Sequence, residues 1–95
     1  MKATLVLHEK RLVASATAIA ELKVWQVPRS RDYPTARKFS LFFIVDGEVV
    51  VGIDNHKPKG PHLHVGGREE PYVFTTVEQL LDDFWALVRK AGFTP

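Results

Sequence analysis

Residues 37–53 read RKFSLFFIVDGEVVVGI, with Asp46-Gly47 between two apolar runs. An Asp-Gly pair favours the two-residue type I′ turn, because both central residues of that turn need a positive φ. We therefore predict a β-hairpin with strands from Arg37 to Val45 and from Glu48 to Ile53. The two-residue loop sets the register, and the predicted cross-strand pairs are Val45 with Glu48, Phe43 with Val50, and Phe39 with Asp54.

In this register both faces of the hairpin are apolar. One face carries Phe39, Leu41, Phe43 and Val50, and the other carries Phe42, Ile44, Val49, Val51 and Ile53. A strand pair that is buried on both sides needs a covering layer on each side. Because one helix can supply only one of the two layers, we expect a second protomer to supply the other, which predicts a homodimer.

The chain on either side of the hairpin shows further strand patterns, with alternating or β-branched and aromatic residues. The predicted strands are Thr4–His8, Thr17–Val27 and Tyr72–Phe74. Two polar segments interrupt them: Glu9–Arg11 predicts a turn, and Pro28–Pro34, with proline at both ends, predicts a loop.

The last part of the chain carries the pattern of an amphipathic helix over Thr76–Lys90. Its apolar stripe has the helical period and comprises Val77, Leu80, Leu81, Phe84, Trp85, Leu87 and Val88. Thr75 and Glu78 fit a capping box at the start, and Gly92 is a typical stop. The predicted fold is α+β: an antiparallel meander sheet of four or five strands with one C-terminal α-helix packed on it, in a single domain over residues 1–95.

Composition narrows the class of protein. The 95 residues include no cysteine, so disulfides and thiolate zinc sites are excluded and the cytoplasm is the expected compartment. No apolar run approaches the length of a membrane span, so no membrane partner is expected. The formal net charge of +2 does not by itself indicate nucleic acid, although basic residues are concentrated between Arg29 and Lys38.

The segment after the hairpin, residues 54–70, reads DNHKPKGPHLHVGGREE and contains three of the four histidines. If the segment around His62 and His64 is extended, both imidazoles project from one face of a strand. Asp54 ends the preceding strand and, in the predicted register, points to the same face as Phe39. Groups that transfer protons or bind anions are therefore concentrated in this segment.

One interpretation of the segment is RNA cleavage without a metal. The reaction needs a base for the 2′-hydroxyl, an acid for the leaving oxygen, and cations for the phosphate charge. Histidine titrates near neutral pH and suits the first two tasks. The cations that suit the third task are Lys57, Lys59 and Arg68, with Arg29, Arg31 and Arg37 on the basic loop.

Two other interpretations stay open. His62 and His64, with Glu69 and with Asp54 or His56, offer the nitrogen and oxygen donors of a metal site. A His-x-His pair beside proline and glycine is also typical of a plain surface turn with exposed histidines. The lysines of the loop favour phosphate over a metal ion.

Four segments of the chain carry a resemblance to a known family. They are Tyr33 with Arg37-Lys38-Phe39-Ser40-Leu41, Asp54-Asn55, His62-Leu63-His64, and Val77-Glu78-Gln79-Leu80. Together they resemble the TumE-like toxins of bacterial and archaeal toxin–antitoxin modules, over about Lys23 to Val88. The resemblance implies a toxin encoded beside a helix-turn-helix antitoxin that binds and neutralises it. Such toxins commonly block translation, often by cutting RNA, which favours the RNA interpretation.

The resemblance carries over only the residues that match its pattern, which are Asp54, Asn55, His62 and His64. Combined with the chemistry of the residues, it predicts a toxin that acts on RNA as a metal-independent endoribonuclease, without a cofactor. The predicted catalytic residues are Asp54, His62 and His64. The predicted substrate-binding residues are Asn55, His56, Lys57, Lys59, Arg68, Arg29, Arg31 and Arg37. The alternatives are a non-catalytic nucleic-acid-binding or regulatory module and a small metal-binding protein.

Overall fold

The computed structural model describes residues 3–13, 17–56 and 60–93. Within these residues the elements are, in chain order, β1 (Thr4–Val13), β2 (Ala18–Gln26), β3 (Arg37–Val45), β4 (Glu48–Asp54), β5 (His62–Val65), β6 (Arg68–Pro71) and α1 (Val77–Lys90). The strands form a sheet whose order follows the chain, and each neighbouring pair is antiparallel. The predicted α+β meander with a C-terminal helix is confirmed, and among the described residues the sheet has six strands. No helix in this part of the chain has the length and apolar character to cross a membrane.

The turn of the β3–β4 hairpin has the predicted conformation. The φ angle is 50° at Asp46 and 82° at Gly47, so both central residues occupy the left-handed region. Val45 pairs with Glu48, as a two-residue loop requires. The local signal in the sequence therefore locates the hairpin correctly.

Beyond the turn, the predicted register is wrong by one residue. A β-bulge intervenes, and Phe43 pairs with Val51 instead of Val50. A bulge adds one residue to one strand and thereby changes which of its side chains face each side of the sheet. Val51 and Ile53 consequently lie on the same side as Phe43, and both are fully buried.

The core lies between one face of the sheet and helix α1. It comprises Ala18, Ala20, Leu22, Val24, Phe39, Leu41, Phe43, Val51, Ile53, Leu80, Phe84 and Val88. The other face, called the open face below, carries no covering element among the described residues. Its apolar side chains Phe42 and Ile44 are half-buried, and Val49 is 47% exposed. Because Val51 and Ile53 face the helix, this side is less apolar than predicted, and the homodimer stays a prediction.

Two predicted element boundaries are also wrong. Glu9–Arg11 is part of β1 and pairs with β2, so it is not a turn. Tyr72–Phe74 is not a strand; the last strand is β6, which follows a turn at Gly66 and Gly67 with φ of 56° and 82°. Gly-Gly permits the same positive φ values as Asp-Gly. The strand after it was not predicted because the residues of β6 are polar.

Helix α1 begins one residue later than the predicted cap. Thr76, and not Thr75, is the N-cap, and its Oγ1 accepts a hydrogen bond from the Gln79 amide at 3.0 Å. Thr76 has the extended backbone that a cap needs immediately before the first helical residue. At the other end Gly92 has a φ of 100° and its amide donates to Arg89 O, which confirms the predicted stop.

A hydrogen bond joins the segment after β6 to the helix. The Tyr72 hydroxyl donates to Asp83 Oδ2 at 2.6 Å, and Asp83 Oδ1 accepts from Gln79 Nε2 at 2.8 Å. Burial raises the pKa of Tyr72 above its ordinary value of 10.0, and the bond to Asp83 raises the pKa further. The neutral phenol is therefore favoured in the folded protein.

We predict that Tyr72 makes stability fall at alkaline pH. Above about pH 10 the unfolded chain loses the phenolic proton while the folded chain keeps it, so the free energy of unfolding decreases as pH rises. Tyr72→Phe should cost about 1 kcal/mol at neutral pH, the net value of one hydrogen bond. The variant should also lose less stability between pH 8 and about pH 11 than the wild type.

Urea denaturation followed by circular dichroism measures both effects. Asp83→Asn is the matched control, since it keeps an acceptor for the hydroxyl and removes the charge. An alkaline loss as steep in Tyr72→Phe as in the wild type would contradict the assignment.

Candidate functional site

The pairing of β4, β5 and β6 brings four polar side chains together on the open face. Asp54 pairs with His62, and His64 pairs with Glu69. Directly paired residues of antiparallel strands project from the same face. The ring centroids of His62 and His64 are 4.9 Å apart at an interplanar angle of 82°, which confirms that the two imidazoles share a face. We call Asp54, His62, His64 and Glu69 the histidine cluster.

His62 is held on both sides of its ring. Nε2 lies 2.9 Å from Asp54 Oδ1, and Nδ1 lies 2.8 Å from the carbonyl oxygen of Gly60. A neutral imidazole has one N–H, so it can donate to only one of these oxygens, whereas the imidazolium donates to both. The ring is 9% exposed. Its geometry is thus fixed by two contacts before any ligand arrives.

His64 is the more accessible of the two histidines. Its Nδ1 lies 3.6 Å from Glu69 Oε2, and its side chain is 33% exposed. Within the described residues, Nε2 has no hydrogen-bond partner. This nitrogen can therefore accept or donate a proton to a bound molecule.

Gly52 makes room beside His64 on the open face. A Cβ atom at Gly52 would lie 2.7 Å from Phe42 Cε1 and 3.5 Å from His64 Cδ2. The missing side chain lets the Phe42 ring lie across the backbone of β4, next to the imidazole. An aromatic ring that covers a strand glycine recovers packing that the glycine cannot supply.

Asn55 anchors the end of β4 to the start of β3. Its Oδ1 accepts from the Phe39 amide at 2.9 Å, and its Nδ2 donates to the Arg37 carbonyl oxygen at 2.7 Å. The residue is 4% exposed. Sequence analysis assigned Asn55 to substrate binding, but this placement favours a role in positioning the adjacent Asp54.

A depression of about 290 Å³ adjoins the histidine cluster. It is lined by Trp25, Lys38, Phe39, Ser40, Asp54 and His56. Lys38 Nζ lies 5.4 Å from the centroid of the Trp25 ring, a cation–π contact. Asp54 belongs to both sites, since Oδ1 contacts His62 and also accepts from the His56 amide at 3.4 Å. The depression and the cluster thus form one continuous surface.

The sequence placed Lys38 only within the basic loop from Arg29 to Lys38, and it indicated Glu69 only as a possible metal ligand. Glu69 follows Arg68, but the two side chains alternate across the strand, and only Glu69 shares the face of His64. Lys38 lies opposite Trp25 in the β2–β3 register. The places of both residues in the site depend on how the strands pair.

The predicted arginine ligands lie in different surroundings. Arg29 and Arg31 are exposed on the loop before β3. Arg37 lines a different depression, beside Thr76 and Glu78 at the start of the helix. Arg68 is exposed and lies beside Leu63 and Val65 on the helix side of the sheet. The predicted ligands Lys57 and Lys59 lie outside the described residues.

Comparison with known proteins gives one match. The model of the family described as "Toxin TumE" matches residues 2–91. The match spans the histidine cluster, the depression and helix α1. Comparisons with curated proteins and with solved structures gave no match.

We predict that Asn55 stabilises the fold and does not bind substrate directly. Asn55→Ala leaves the Phe39 amide and the Arg37 carbonyl without their side-chain partner, which should cost about 2–6 kcal/mol, since each of the two groups contributes about 1–3 kcal/mol. His56→Ala is the matched control, because His56 is exposed and should change stability by less than about 0.5 kcal/mol. Chemical denaturation of both variants measures the difference. Normal stability of Asn55→Ala together with weaker ligand binding would contradict the prediction.

Proposed function

The chain belongs to the TumE toxin family and is the toxin component of a toxin–antitoxin module, and from this premise we propose that it cleaves RNA as a metal-independent endoribonuclease. The observation that carries the proposal is the accessible imidazole of His64, held beside Glu69 and next to the fixed His62–Asp54 pair. The module implies an antitoxin partner. We propose that this partner is a helix-turn-helix protein and that the pair acts in the cytoplasm.

The proposed reaction uses the 2′-hydroxyl of the RNA. The 2′-oxygen attacks the adjacent phosphorus as its proton passes to His64 Nε2, and the P–O5′ bond breaks as the leaving oxygen takes a proton. His62 is the proposed source of that proton, which it holds at Nε2 against Asp54 Oδ1 at 2.9 Å. General acid–base catalysis of this kind contributes about 10²–10⁴-fold for each group.

Asp54 and Glu69 have supporting roles in this mechanism. Asp54 contacts His62 at Nε2, the nitrogen proposed to release the proton, and balances the charge of the imidazolium until that proton passes to the leaving oxygen. The Gly60 carbonyl oxygen at Nδ1 fixes the orientation of the ring. Glu69 Oε2 lies 3.6 Å from His64 Nδ1 and favours the protonated ring after the proton transfer. Because both carboxylates are negative, the phosphate needs cations from other residues.

The depression beside Asp54 supplies a cation and a flat aromatic ring. Lys38 can pair with a phosphate, and Trp25 can stack on a base, the two contacts that single-stranded RNA uses most. We propose that the loop residues Lys57 and Lys59 add further phosphate contacts, with Arg29 and Arg31 farther along the strand. Arg37 and Arg68 are not part of this proposal, because each lies by the helix. A homodimer is not part of it either.

We predict cleavage of RNA in the presence of a chelator, and its loss when His64 is removed. His64→Ala should lower the cleavage rate by about 10²–10⁴-fold. His62→Ala should have a comparable effect, since it removes the acid. His8→Ala is the matched control: His8 lies on β1, is 46% exposed, and pairs with Glu21 at 3.3 Å. A gel assay with purified protein and RNA gives the rates.

Growth arrest in cells that express each variant is the second readout. Unchanged RNA cleavage and unchanged arrest in both His62→Ala and His64→Ala would refute the catalytic assignment. Salt-dependent RNA binding without cleavage, which survives loss of both histidines, would instead support a non-catalytic binding module.

We also predict that Trp25 and Lys38 bind RNA without taking part in the chemistry. Trp25→Ala should cost about 1–3 kcal/mol of binding free energy, the value of one stacked base. Lys38→Ala should reduce the slope of log K against log salt by about 0.7, as for one phosphate contact to a single strand. Lys10→Ala is the control, since Lys10 is an exposed lysine of β1. Fluorescence anisotropy at several salt concentrations measures the binding free energy and the salt slope. Equal slopes for Lys38→Ala and the wild type would contradict a phosphate contact at Lys38.

A further inference from the structure

The histidine cluster has a second chemical capacity besides proton transfer. We propose that Asp54, His62 and His64 bind one Zn²⁺ ion, and that bound zinc inhibits RNA cleavage; the inhibition, but not the binding, rests on the proposed function. The two activities compete because they use the same side chains.

The donor atoms already lie close together. One ligand atom from each of Asp54, His62 and His64 lies within 4.8 Å of the others. Zinc bonds of about 2.0–2.2 Å place two donors of a tetrahedral site roughly 3.4 Å apart. The Asp54 and His62 donors, at 2.9 Å, need to move apart slightly. His64, half-buried and with a weak contact to Glu69, can close the remaining gap by a small rotation of its side chain.

The orientation of His62 is that of a metal ligand. When Nδ1 donates its proton to Gly60 O at 2.8 Å, the lone pair of Nε2 faces Asp54 Oδ1 at 2.9 Å. Two lone pairs at this distance repel unless a positive charge lies between them, either a proton or a cation. Ligating histidines almost always donate the other ring N–H to a carbonyl or carboxylate oxygen. The Gly60 contact thus prepares Nε2 for a metal ion as well as for a proton.

Glu69 adds a negative charge beside the three donors. Its Oε2 lies 3.8 Å from His62 Nε2 and 3.6 Å from His64 Nδ1. With neutral imidazoles, the two carboxylates give the cluster a charge of −2, which attracts a cation. A set of two imidazole nitrogens and carboxylate oxygens suits Zn²⁺ and related transition-metal ions better than Mg²⁺, which prefers oxygen donors and retained water.

Bound zinc should inhibit RNA cleavage because both use the side chains of His62 and His64. A zinc ion on His62 Nε2 displaces the proton proposed for the leaving oxygen. A zinc ion on His64 removes the imidazole proposed to accept the 2′-hydroxyl proton. Cleavage and metal occupancy are then mutually exclusive, and the chelator in the cleavage assay should increase the rate whenever zinc is present.

Binding is tested without RNA, on protein purified without a histidine tag. Isothermal titration with ZnCl₂ should give one site per chain, and Co²⁺ should give the visible absorption of a tetrahedral site. Asp54→Asn, which keeps the side-chain volume, and His64→Ala should each weaken zinc binding at least tenfold. His8→Ala is the matched control and should bind as the wild type does. Circular dichroism checks that each variant is folded.

Absence of stoichiometric binding, or wild-type affinity in both Asp54→Asn and His64→Ala, would overturn the metal site. Inhibition is measured separately, as the RNA cleavage rate with zinc, with Mg²⁺ and with chelator. Slower cleavage with zinc alone is the expected result. Faster cleavage with zinc overturns the inhibition and leaves the binding result standing. No cleavage under any condition overturns the inhibition and the proposed function together, whereas the titration still decides the metal site.

Discussion

Helix α1 can cover only one face of the sheet, and this constraint determines on which face of each strand the side chains are apolar and buried. The side chains that α1 covers are apolar and buried, including Leu41, Phe43 and Ile53. The opposite face has to remain compatible with water, so polar residues can occupy it without a cost in core packing. The bulge in β4 determines which side chains project from each face of the sheet. Ile53 faces the helix, and Asp54 lies on the open face. Among the described residues, the histidine cluster lies on the side of the sheet that α1 does not cover.

Much of the fold follows from local signals in the sequence. Asp46-Gly47 specifies a turn, and the stripe that includes Leu80 and Phe84 specifies a helix, because each depends on neighbouring residues alone. The bulge could not be predicted, since Val49-Val50-Val51 offers three similar side chains and no alternation that would fix the register. The polar strand β6 was missed for a related reason. Exposed edge strands need few apolar residues, so their composition resembles that of a turn.

The candidate site was predictable to the extent that it is local. Two residues apart on a strand, His62 and His64 had to share a face, and Asp54 had to end the strand before them. Glu69 and Lys38 join the site through pairing with other strands, which no single segment encodes. The neighbourhood of Arg68 shows the limit of reasoning from proximity along the chain. Arg68 is adjacent to Glu69 in the sequence, yet the two-residue period of a strand places its side chain on the opposite side of the sheet.

Helix α1 follows every described strand in the chain, and this order has a consequence during protein synthesis. A nascent chain that ends before Val77 already contains the whole histidine cluster, but its sheet has no cover for the face that carries Phe43 and Ile53. Hydrophobic burial supplies most of the stability of such a sheet, so the strands have little to hold them in register until Leu80, Phe84 and Val88 have been added. Ribosomes that stall early would therefore release chains with every site residue and no ordered site.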